Sequence, residues 1–143
     1  MCCSCALVLI LAFDSVRHHS LVSKLANFTL PDYLHNWMVN NLSGRQHQKK
    51  LDGSVSSILP INASIIQDSA LGPVEYVLTS SDLYPTSLSN LLCKYADDTW
   101  LLVPASNSPS IPQEIQHITN WATANNLKLN HSKSQEMIVQ SPA

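Results

Sequence analysis

The stretch Asn90-Leu91-Leu92-Cys93-Lys94-Tyr95-Ala96-Asp97-Asp98-Thr99-Trp100-Leu101-Leu102-Val103 decides the fold. Its arms, Asn90 to Tyr95 and Thr99 to Val103, are apolar and strand-like, and Ala96-Asp97-Asp98 between them reads as a tight turn. Neighbouring side chains of a regular strand point to opposite faces, so only a turn brings both carboxylates toward one point. Two carboxylates that close repel unless a cation or a shared proton offsets the charge. Hard oxygen ligands on a hairpin suit Mg²⁺, which takes one or two protein carboxylates and fills its shell with water and substrate phosphates. The plainer alternative is a solvated turn, where Asp is favoured anyway.

Working outward, Leu7, Val8, Leu9 and Ile10 run without polar interruption and predict a short buried strand. Leu21, Val22, Leu25 and Phe28 recur at helical spacing, and Leu30-Pro31 breaks that helix. A second helix is expected from Asp32, with Leu34, Trp37, Met38 and Leu42 as its apolar stripe and Gly44 as its end. Asp52-Gly53, flanked by Gln46 to Leu51 and Ser54 to Leu59, is a strong hairpin signal. Gly72-Pro73 reads as a helix start. The Ser, Asn and Pro cluster from Ala105 to Pro112 predicts a loop, and Ser110 with Gln113 has capping-box spacing ahead of a helix buried through Ile115, Ile118, Trp121 and Ala122. Asn125-Asn126 ends that helix, and Leu127 to Leu129 with Glu136 to Val139 suggest a last pair of strands. The fold class expected is α+β, an antiparallel sheet with helices packed on one face.

The chain has 143 residues, room for one domain and not two. Charged residues are 13% of it, about half the usual share, which excludes a coiled coil, a charged disordered tail and a histone-like protein. The net charge of -2 means that any nucleic-acid role must rest on a local site. Only three Gly are present, which argues against a Gly-rich phosphate loop. Cys2, Cys3 and Cys5 crowd the first five residues with no second C-x-x-C to complete a zinc site, so residues 1–5, like 140–143, are expected to be unstructured. The apolar run from Cys5 to Phe13 is too short to span a bilayer as a helix, and no membrane role is expected. Four Asn-x-Ser/Thr sequons read as accidental in a chain rich in Asn and Ser, and a secreted glycoprotein is disfavoured because the clustered cysteines make a poor disulfide framework. The chain is expected to be intracellular rather than secreted.

The pattern around the acidic pair carries a resemblance. Tyr95-Ala96-Asp97-Asp98 resembles the Y-A-D-D signature of reverse transcriptases, especially those of non-LTR (LINE-type) retrotransposons. Ala12-Phe13-Asp14-Ser15-Val16-Arg17-His18 resembles the A-F-D-x-V-x-H part of the first palm motif. Leu42, Arg45 and Gln46 resemble the block that enters the family's hairpin, and Gln67-Asp68-Ser69-Ala70-Leu71-Gly72-Pro73 resembles Q-G-S-x-L-G-P, the second palm motif. Trp121, Asn125, Leu127, Leu129, Asn130 and Lys133 resemble the W-x-x-x-N-x-L-x-L-N-x-x-K block. These ordered blocks cover nearly the whole chain, with a partial palm domain expected over residues 6–139.

The resemblance implies a palm-like fold for RNA-directed DNA synthesis, with an RNA template, a DNA primer and deoxynucleotide triphosphates as partners. It implies that Asp97 and Asp98 hold Mg²⁺ in a two-metal site and that Lys133 approaches the leaving pyrophosphate. Phe13 would lie under the incoming sugar, and Gln67, Ser69 and Tyr95 would shape the nucleotide and template pocket. Two departures matter. The family carries a further metal-binding Asp six positions before Asp14, and this chain has Val8 there. Asp68 replaces the Gly of the second motif, where close backbone approach favours Gly. Fingers and thumb are expected to lie outside this stretch, exposing apolar faces that invite self-association. The resemblance thus implies a nucleotidyltransferase palm with impaired activity, or an inert remnant or domesticated interaction module.

Overall fold

The computed structural model describes residues 2–10, 12–66, 69–95 and 98–139, with only the backbone course given for residues 2–10 and 12. The opening apolar run forms β1 (Cys2–Ile10), followed by the short α1 (Ala12–Ser15), α2 (His18–Leu25) and α3 (Asp32–Leu42). β1 starts at Cys2, so Cys2 to Cys5 are not the frayed end expected of them. They pair with Pro104 to Leu101 on one side and Val139 to Glu136 on the other, which satisfies their backbone groups. The expectation for residues 140–143 lies outside the described residues.

In α2, Leu21 and Leu25 are buried; Phe28 falls beyond the helix end and is 40% exposed. In α3, Met38 and Leu42 are buried four residues apart with Leu34 half-buried in line, whereas Trp37 lies off that stripe and is 52% exposed. Pro31, not Asp32, occupies the N-cap of α3, and no side chain caps it. Gly44 takes φ +62 just beyond the helix, a backbone state that favours glycine.

An arm follows: β2 (Gln46–His47), β3 (Lys50–Leu51), β4 (Ser54–Val55) and β5 (Leu59–Pro60). β3 pairs with β4 across Asp52 (φ 46) and Gly53 (φ 81), both in the left-handed region that a two-residue hairpin turn needs, and β2 pairs with β5. Next come α4 (Gly72–Thr79), β6 (Leu91–Tyr95) and β7 (Asp98–Pro104). The segment Ala105–Ser110 is a 3-10 helix, not a loop, and runs directly into α5 (Ile111–Ala124). Ser110 is therefore already helical in backbone and makes no capping bond; its hydroxyl donates to the Asn107 carbonyl oxygen instead.

β8 (Lys128–Leu129) and β9 (Gln135–Val139) do not pair with each other. Both add to β1: β8 opposite Leu9 and Ile10, β9 opposite Cys2 to Ala6. The main sheet thus runs β6-β7-β1-β8, with β9 also on β1, antiparallel throughout. In β7, Thr99, Leu101 and Val103 are buried while Asp98 and Trp100 are exposed, so one face of the sheet meets the helices. Leu101 and Val103 join Leu21, Leu25, Met38, Tyr76, Ile118 and Leu129 in a single core. The architecture is α+β, palm-like, with helices on one face of an antiparallel sheet. Among the described residues no helix is long and apolar enough to cross a membrane.

Candidate active-site hairpin

β6 and β7 close on the pair Tyr95 and Asp98, so a two-residue connection separates the arms. Ala96 and Asp97 lie in that connection, outside the described residues. Tyr95 is 81% exposed and Asp98 is exposed beside it, at the tip of the ladder. On the other side of β7, Val8 of β1 occupies the register position opposite Asp98. Directly opposed residues on antiparallel strands are nearest neighbours across the ladder. An apolar residue therefore stands opposite Asp98, where the resemblance implies a third carboxylate.

Beside the hairpin, Phe13, Pro73, Tyr76, Val77, Lys94 and Tyr95 line a cavity of about 250 Å³. Phe13 stacks on Tyr76 with ring centroids 5.0 Å apart. Lys94 ties the hairpin to the end of α4: its Nζ donates to the Ser80 carbonyl oxygen at 2.6 Å and to that of Leu83 at 2.9 Å. Burial pushes the Lys94 ammonium below the usual lysine range. A second lysine, Lys24, grips the same helix end by donating to the Thr79 carbonyl oxygen and pairing with Asp82 at 2.6 Å. Burial works against the Asp82 carboxylate, but the bonds from Lys24 and from the Trp121 indole N–H outweigh it and lower its pKa.

Residues 2–143 match the family described as reverse transcriptase (RNA-dependent DNA polymerase). The chain belongs to the reverse transcriptase family. It is 31% identical over 134 residues to the RNA-directed DNA polymerase from mobile element jockey of Drosophila melanogaster, across 85% of this chain and 14% of that relative. It is 28% identical, over 88% of its length, to the probable RNA-directed DNA polymerase from transposon X-element of the same species. The chain spans 14–15% of the length of these non-LTR relatives. Among solved structures, apo telomerase from Candida tropicalis superposes with a TM-score of 0.70 at 14% identity, over 95% of this chain and 28% of that one. Telomerase of the same yeast in complex with a fragment of telomeric RNA gives 0.71 at 10% identity, over 95% and 26%. At that identity the likeness concerns the fold.

Within this reverse transcriptase fold, Phe13 and Tyr95 reach one cavity from segments more than eighty residues apart. Gln67, Asp68 and Asp97 lie outside the described residues. The Ser69 hydroxyl is engaged locally: it donates to the Ile66 carbonyl oxygen at 2.7 Å and accepts from the Gly72 amide at 2.9 Å, bracing the turn into α4. Lys133 is exposed in the turn between β8 and β9, and its amide donates to the Asn130 carbonyl oxygen at 3.1 Å; it does not line the Phe13 cavity. Among the described residues no three His, Cys, Asp or Glu side chains cluster as a metal site. Of the acidic pair only Asp98 is described, and Val8 opposite it offers no oxygen ligand.

Three residues of consequence were invisible in the sequence. Lys94 carries no motif beyond its place before Tyr95. Glu75 and Glu114 are buried acids on helices whose partners come from elsewhere in the chain. An acid at an inward helical position is the one signal that could have flagged them.

Proposed function

We propose that the chain is the palm of an RNA-directed DNA polymerase of a non-LTR mobile element, with its carboxylate set one short. The observation that carries this reading is the tight β6–β7 hairpin lying against β1, with Val8 in register with Asp98. Asp97 and Asp98 are the residues that would hold Mg²⁺, which when bound would stabilise negative charge developing on a transferring phosphoryl group. Phe13 supplies a flat apolar wall for the incoming sugar, and Tyr95 lines the same cavity. Gln67 and Ser69 belong to the segment shaping the nucleotide and template pocket, Ser69 by holding the turn into α4. Lys133 is an exposed cation available to a leaving pyrophosphate. The partners under this reading are an RNA template, a DNA primer and deoxynucleotide triphosphates.

Val8 cannot ligate a cation, so the reading includes weak metal binding and little transfer. Mn²⁺ titration followed by calorimetry tests it. Val8→Asp is expected to tighten binding about tenfold, and Asp97→Ala with Asp98→Ala to abolish it. Mn²⁺ binding by the parent that ignores both alanine changes would overturn the assignment. Val8 also favours a second reading, an inert remnant kept as an interaction module. Primer extension on an RNA template that depends on Asp97 argues against that second reading; no extension even with Val8→Asp supports it.

A further inference from the structure

Away from the hairpin tip, Arg17, His19, Asn62, Ala63 and Asn126 surround an open cavity of about 400 Å³. Three separate segments build it. Arg17 and His19 come from the start of α2, Asn62 and Ala63 from the strand-like stretch ahead of α4, and Asn126 from the end of α5. An isolated antiparallel bridge between Arg17 and Ala63 and a bond from the His18 amide to the Asn62 carbonyl oxygen (2.9 Å) fix the first two segments together. Asn126 fixes the third. Its backbone sits in the left-handed region at φ 61, its carboxamide N–H donates to the Ser15 carbonyl oxygen at 2.9 Å, and its Oδ1 accepts from the Arg17 guanidinium at 3.3 Å.

The chemistry of this lining is one-sided. It offers a guanidinium, an imidazole and two carboxamides, and none of the lining residues is an acid. The guanidinium has five N–H donors, and its one bond among the described residues, to Asn126, is long for a charged donor. The first turn of α2 adds the positive end of a helix dipole. The cavity also lies at the same end of β1 as the acidic tip: Val8 is in register with Asp98, Ile10 with Lys128, and the chain then passes through α1 to Arg17.

The geometry points to an anion site of phosphate class at this cavity, with Arg17 as its anchor, His19 as a second donor and Asn126 as the strut that orients Arg17. Planar guanidinium suits the paired oxygens of a phosphate, and charge-assisted bonds of this kind are the strong ones. The site rests on the palm reading only for the source of its ligand, a released diphosphate or the phosphate backbone of a nucleic-acid strand.

Titration of the full chain with inorganic diphosphate in EDTA, followed by calorimetry, tests it, because chelation removes the Asp97–Asp98 tip from the readout. Binding is expected to weaken about tenfold in Arg17→Gln and in Asn126→Asp, the latter placing an acid beside the guanidinium without emptying the cavity. Far-ultraviolet dichroism and melting of each variant confirm that it folds, and His19→Gln provides a third, milder change. A single-stranded RNA oligonucleotide, tested alone and against diphosphate, separates the sources. Oligonucleotide binding that Arg17→Gln weakens and diphosphate displaces assigns the site to backbone phosphate; diphosphate binding without oligonucleotide binding assigns it to the leaving group. No binding of either probe, or binding that all three folded variants retain, overturns the proposal. That failure leaves the palm reading standing, which is decided by Mn²⁺ at Asp97 and Asp98.

Discussion

Gly72 shows how closely the second-motif turn is packed. A Cβ built there meets the Ile66 carbonyl oxygen at 2.7 Å, and a backbone atom cannot swing aside as a side chain can. Gly72→Ala is expected to cost about 1–3 kcal/mol, read as a lower midpoint in urea denaturation, with the turn into α4 displaced. Three residues on, Glu75 is 1% exposed and its Oε1 has no hydrogen-bond partner among the described residues. Burial raises its pKa above the ordinary 4.5, opposed by Arg45, His18 and Asn41. A raised pKa means the folded state prefers the protonated acid, so its stabilising contribution is present below pH 4.5 and is lost as pH rises through the shifted value. Glu75→Leu should therefore melt above the parent at pH 7, with the gap closing toward pH 4.5. A variant less stable than the parent at neutral pH would contradict this account of Glu75.

Among the elements, the connection from α4 to β6 is held by one carboxylate. Glu114 of α5 is fully buried and accepts from the Thr86 and Ser87 amides at 2.9 Å each and from the Asn90 carboxamide at 2.8 Å. Burial alone would raise its pKa, but those N–H donors outweigh it and hold the carboxylate below its usual range. The lowered pKa reverses the sign found at Glu75: the contribution is present above the ordinary 4.5 and fades as pH falls through the shifted value. Glu114→Ala should destabilise by about 2–4 kcal/mol and speed hydrogen exchange at the Thr86 and Ser87 amides before the rest of the sheet. None of this was legible, because Glu114 and its partners are up to 28 residues apart. What was legible is local. The Asp52-Gly53 turn, the end of α3 at Gly44 and the end of α5 at Asn125-Asn126 follow from backbone preferences of a few consecutive residues, whereas Asp98, expected in the turn with Ala96 and Asp97, is instead the first residue of β7 and pairs with Tyr95. The pairing of β8 and β9 with β1 is a choice among distant strands, and apolar pattern alone does not make it. The 3-10 helix at Ala105–Ser110 was hidden by a composition that favours turns of every kind.

Among the described residues, one face of the main sheet carries no helix. Leu91, Tyr95, Trp100, Met137 and Val139 are each at least 40% exposed on β6, β7 and β9. On the arm, Leu51, Val55, Ile58 and Leu59 are more than half exposed as well. Apolar surface on this scale is normally covered by a partner. Concentration-dependent self-association is expected in sedimentation velocity, and Trp100→Lys with Met137→Lys should shift the chain toward monomer. A single species at every concentration would remove that expectation. The family and the α+β class were readable from the ordered motifs, since each block constrains several residue types at fixed spacing. Of the residues expected at the candidate site, Phe13 and Tyr95 line one cavity; the register that sets Val8 against Asp98 needed coordinates.

β1 has a further consequence through its position in time. It leaves the ribosome before all of its partners, residues 98–104 on one side and residues 128–129 and 135–139 on the other. An emerging chain carries Leu7 and Val8 unpaired until Thr99 and Asp98 have been translated, and Leu9 and Ile10 until Leu129 and Lys128 have been. Long-range closure of this kind is slow, so a chaperone of nascent chains has its longest opportunity to bind at that apolar tetrad.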